Sequence, residues 1–135
     1  RRALGERDRM DVPMGNRRSV IVYERIEGLA LRALLLRRQV DADAPLRSLA
    51  EVRRSYERMP DRRGVANTHA AEALVRAAQR RPDEAEAELE VALEWYRRPS
   101  GDVDDSGARL VESRRAIVRA ITAAGSASIG TMPDR

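Results

Sequence analysis

Few residues of this 135-residue chain have the type and spacing for chemistry. His69 is its only histidine, and an imidazole that titrates near neutral pH would serve as a general base beside a nucleophile and an orienting group. Thr68 is its neighbour in sequence, which is no substitute for that geometry, and we expect His69 at the solvent edge of a helix. Glu86, Glu90 and Glu94 recur every four residues, a spacing that lines carboxylates along one helix face. A cation would need a histidine or cysteine to complete such a line. The expectation is therefore a solvated stripe that pairs with Arg97 or with a neighbouring helix. Cysteine is absent, which removes disulfide and thiolate chemistry. All 26 basic residues are arginine, which removes every lysine-based mechanism, the phosphate-loop lysine included. The expectation is no enzyme, no catalytic residue, no metal and no cofactor.

The arginines themselves are the next candidates. They pair at 37–38, 53–54, 80–81 and 97–98, which we read as helix ends, where a cation meets the negative pole of the helix dipole. Asp41, Asp43, Asp61, Asp83 and Asp105 gather at the expected helix starts, with Asp41 or Asp43 as one cap and Asp83 with Glu86 as a capping box. A net charge of +4 keeps nonspecific nucleic-acid binding as an alternative function. Few aromatics and interleaved acids rank it below protein binding.

The positioning elements follow from periodicity. Apolar residues at helical spacing predict helices over about 18–39, 44–58, 62–81, 83–98 and 106–123. The prediction is an all-α domain over 18–123, with a flexible arm at 1–17 and a disordered tail at 124–135. With no Phe, the core must be built from Ala, Leu, Val and Ile. Val91 and Trp95 fall on a flank of helix four where a following helix would pack. The apolar run Gly28–Leu36 is short and broken by Arg32, so it cannot span a bilayer, and no signal peptide is visible. A cytoplasmic location without membrane association is the expectation.

The chain also repeats. Shifted by 43 positions, 21–54 matches 64–97 at ten of 34 pairs, among them Ala30 with Ala73, Arg37-Arg38 with Arg80-Arg81, Ala42 with Ala85 and Leu46 with Leu89. This composition would give roughly three by chance. Nine-residue spacers, 55–63 and 98–106, separate the units, and a third copy begins at Gly107 and stops after one helix, 107–123, which would cap the stack. The Ala85–Leu89–Ala92 spacing after the turn Arg81-Pro82-Asp83-Glu84 resembles the second helix of a tetratricopeptide repeat, and Asp61-Arg62-Arg63-Gly64-Val65-Ala66 is similar to the inter-repeat phrase of actinobacterial regulators. HEAT and armadillo repeats remain the structural alternative. The resemblance covers 21–123 and implies antiparallel hairpins stacked as a short right-handed solenoid of about five helices.

It further implies a module of a regulatory or signalling protein that holds a peptide or partner protein in a groove lined by the first helix of each unit. Carried onto this sequence, the lining residues are Glu24, Glu27, Leu31, Asn67, Ala70, Leu74, Leu110, Ser113 and Ile117. Asn67, a polar residue inside an apolar arc, is equally accounted for by satisfying a neighbouring group. The lysine–asparagine clamp of chaperone-binding members is missing with the lysines, so chaperone tails are not the expected ligand. A homo-oligomeric scaffold, with the leucine-rich first helix packed on its own copy, is the remaining alternative.

Overall fold

The structure is a computed structural model that describes residues 14–38 and 41–131, with side chains over 18–38 and 41–124. The described residues form five helices: α1 (Met14–Leu35), α2 (Asp43–Arg58), α3 (Arg62–Ala78), α4 (Pro82–Tyr96) and α5 (Asp105–Thr131). No strand occurs among the described residues, only an isolated bridge between Arg97 and Val103. The expected spacer 55–63 lies largely inside α2 and α3, whereas 97–104 is a true connection. Residues 14–17 and 124–131, expected in the arm and the tail, are helical. The rest of the arm, 1–13, and of the tail, 132–135, lies outside the described residues.

Local chemistry sets the ends. Asp61 caps α3, its carboxylate accepting from Gly64 N at 2.9 Å, and Asp104 does the same for α5 through Ser106 N at 3.0 Å. α4 starts differently from the capping box that its sequence suggests. Pro82 takes the first helical position, Arg81 stands at the cap without a side-chain bond, and Asp83 falls inside the first turn. For α2 the cap position is Ala42, and Asp41 accepts from Asp43 N instead. α1 and α3 end alike. Arg37 and Arg80 adopt positive φ, 53° and 65°, and the next amides, Arg38 N and Arg81 N, close back on Ala33 O and Arg76 O. The arginine pairs at 37–38, 80–81 and 97–98 thus do follow helix ends, but 53–54 lies within α2.

Each hairpin packs on the next. α2 contacts α1 and α3; α4 contacts α3 and α5; α1 and α5 also contact α3, so the middle helix touches all four others while α2 and α4 do not meet. α3 buries 12 of its 17 residues as a result. Alanines 66, 70, 73 and 77 bring it close to α4, whose Ala85, Leu89 and Ala92 face them. Its other side, with Ala71, Leu74, Val75 and Ala78, seats against Ile26, Ala30 and Ala33 of α1 and Leu49 of α2.

A ring-on-glycine joint repeats at the two hairpin boundaries. Tyr56 at the end of α2 lies on Gly64, and Tyr96 at the end of α4 lies on Gly107; a Cβ on either glycine would come within 2.3 or 2.4 Å of a ring carbon. The glycines are 43 apart, as expected, but the tyrosines are 40 apart, as are the fully buried Leu49 and Leu89. The first helices therefore correspond at 43 and the second helices at 40. The connections trade length: 36–42 and 97–104 are long, 59–61 and 79–81 short. Pairing Ala42 with Ala85 or Leu46 with Leu89 was thus out of register for the second helices. Trp95 packs against the core clusters near the start of α3, with the Arg62 guanidinium 4.8 Å from its ring centroid.

Candidate partner-binding face

The expected groove runs along α1, α3 and α5. Over the middle of α3 it is closed by side chains. Arg114 of α5 reaches across, donates to Ala70 O at 2.8 Å and pairs with Glu27 of α1 at 2.7 Å. One turn away, Tyr96 OH donates to Asn67 Oδ1 at 2.5 Å, and Asn67 Nδ2 donates to Tyr23 OH at 3.4 Å. Asn67 thus satisfies two tyrosines from α1 and α4. Burial pushes the Glu27 pKa up, and the single guanidinium of Arg114 does not offset it. Burial likewise raises the Tyr23 and Tyr96 phenols, and raises Tyr56 to about 12.

The nine expected lining residues separate accordingly. Ala70 and Leu74 are wholly buried and offer no surface; the physical reason is that α3 has a neighbour on every side. Glu27 and Asn67 are committed to Arg114 and the tyrosines. Leu110 and Ile117 are half-buried against the cores. Glu24, Leu31 and Ser113 remain exposed. At the start of α3 a pocket of about 160 Å³ opens between Val20, Tyr23, Tyr56, Asp61 and Arg63.

A second polar cluster lies on the face of α3 that is flanked by α2 and α4. His69 Nδ1 lies 2.7 Å from Glu88 Oε1. Glu72 is 8% exposed and takes Arg53 Nη2 on one oxygen at 2.8 Å and Arg76 Nη2 on the other at 2.9 Å. Burial alone would raise the Glu72 pKa, but hydrogen bonds and charge from the two arginines outweigh it and hold it below the ordinary value. Ligand atoms of His69, Glu72 and Glu88 lie within 4.8 Å of one another, close enough for a metal ion. The donor set does not suit one: both Glu72 oxygens already face guanidinium groups, which a cation would have to displace against their charge. Thr68 Oγ1 donates to Val65 O and accepts from Arg53 Nε, so its hydroxyl is turned into this network.

His69 was expected at the solvent edge of its helix, the face that also carries Glu72 and Arg76. Instead α2 and α4 flank that face, because α3 is the centre of the domain rather than one of its walls. The i, i+4 spacing of Glu72 and Arg76 was the available signal; nothing local pointed to Arg53 or Arg114. The Glu86–Glu90 part of the acidic stripe pairs with Arg115 of α5 at 3.0 and 2.5 Å, and Glu94 with Arg97 at 3.5 Å. No helix among the described residues is long and apolar enough to cross a membrane. No protein-family model, curated protein or solved structure matches the chain.

Proposed function

We propose that this chain is a non-catalytic interaction module of the tetratricopeptide-like kind, the part of a regulatory or signalling protein that holds a peptide or partner protein on its helical surface. The observation that supports it is the ring-on-glycine joint, made twice in the same way, which seats each hairpin on the first helix of the next. An array of such hairpins presents a fixed surface over several helices, which suits recognition of an extended or helical segment. With Ala70 and Leu74 covered, a bound segment would use the rims, through Glu24 and Leu31 on α1 and Ser113 on α5.

Peptide display against the full chain, followed by mapping of amide shifts, tests the reading. Selected peptides should perturb a contiguous helical surface, and their affinity should change little with salt. The reading is overturned if no peptide binds more tightly than about 1 mM while DNA binds with an affinity that falls steeply as salt rises.

A further inference from the structure

α1 leaves bare the face with which its counterparts pack. At the 43-residue spacing, Gly28, Leu31, Arg32 and Leu35 correspond to Ala71, Leu74, Val75 and Ala78 of α3, the residues that seat α3 on the preceding hairpin. α5 docks on α3 and α4 with the same face, through Val111, Arg114 and Val118. Among the described residues nothing covers it in α1: Leu35 is 82% exposed and Ile21 58%, and a Cβ on Gly28 would meet nothing within 4 Å. Two positions differ in kind. Where α3 and α5 bury Thr68 and Val111, and Val75 and Val118, α1 carries Arg25 and Arg32.

A guanidinium entering such a seam needs a carboxylate to meet it. The chain itself shows the solution: Arg114, 9% exposed, enters the equivalent seam of α5 and is met by Glu27. We propose that the outer face of α1 docks an acidic amphipathic helix of a partner protein, its apolar side on Ile21, Leu31 and Leu35 and its carboxylates, seven residues apart, on Arg25 and Arg32. A second copy of this chain fits less well. Each face carries two arginines to one acid, Glu24, so two faces would oppose four guanidinium groups. The inference rests on the interaction-module reading and names its surface and the chemistry of its partner.

The probe is a synthetic helix with leucines on one face and two glutamates among them at that spacing, compared with its glutamine counterpart by fluorescence anisotropy on the full chain. Expected is binding of the glutamate peptide at least about tenfold tighter than the glutamine peptide. The Arg25→Glu/Arg32→Glu variant should reverse the preference and bind a lysine version of the peptide. Both positions are exposed, so its melting curve should match that of the unaltered chain. Equal binding of the glutamate and glutamine peptides, or no binding of either, overturns the inference. So does self-association abolished by the same variant, or arginine-dependent binding to phosphatidylserine vesicles in place of the peptide. If displayed peptides bind elsewhere and ignore the variant, the docking face falls while the interaction-module reading stands.

Discussion

α1 and α3 are the same element in two settings. They end in the same left-handed arginine cap and correspond residue by residue at a shift of 43 positions. Yet α3 buries 12 of 17 residues, while α1 shows Ile21, Leu29, Leu31 and Leu35 to solvent. What differs is the company each helix keeps: among the described residues α3 has four neighbouring helices and α1 two. The buried carboxylates differ in the same way. Glu72 meets two guanidinium groups and ionises more readily than an ordinary glutamate, whereas Glu27 meets one and resists ionisation. Desolvation prevails at Glu27, where Glu24 adds to it and only Arg114 opposes it, and is outweighed at Glu72, where Arg53 and Arg76 both oppose it.

The comparison breaks if corresponding positions respond alike. Leu74→Ala removes a wholly buried side chain and should cost about 2–5 kcal/mol of unfolding free energy, whereas Leu31→Ala, its counterpart, should stay within about 1 kcal/mol. Denaturant titration of the two variants measures both, and equal losses would mean that α1 is covered as α3 is. Glycines sharpen the contrast through the sign of the effect. Gly64→Ala would drive a methyl into the Tyr56 ring and should destabilise by about 1–3 kcal/mol, while Gly28→Ala meets open space and should stabilise by up to about 1 kcal/mol through helix propensity.

The smallest effect is in pH dependence. Glu72 has a folded pKa below 4.5, so its contribution to stability is present above that value and is lost as pH falls through the folded pKa. For Glu27 the folded pKa is raised, so its contribution is present below 4.5 and is lost as pH rises through the folded value. On acidification, NMR of the side-chain carboxyls should show Glu27 protonating first and Glu72 after it. The reverse order would remove the argument about numbers of partners.

Much of this was legible in the residues. Apolar periodicity located all five helices, and Gly64 over Gly107 with Arg37 over Arg80 gave the correspondence of the first helices. The second helices were misaligned because one connection lengthens as another shortens, a compensation that sequence identity among alanines and arginines cannot resolve. The run 124–135 was expected to be a tail because chain ends are commonly disordered, yet α5 continues to Thr131. At the candidate face, Glu27, carried over as a groove residue, is paired with Arg114, and Asn67 takes the second of its two expected roles by bonding the tyrosines. Periodicity gives the side of a helix on which a residue lies, but not the length of an arginine reaching over from two helices away.

The tyrosine rings have a consequence for how such an array can vary. A span of three residues, 59–61, and one of eight, 97–104, deliver the chain to the same joint. Spacing between hairpins is therefore dictated by where a ring drops into a notch, and the linking peptide is slack to be taken up. Doubling that slack costs only about 0.6 kcal/mol in closure entropy, so the longer span is the place where new sequence can be inserted without disturbing the stack.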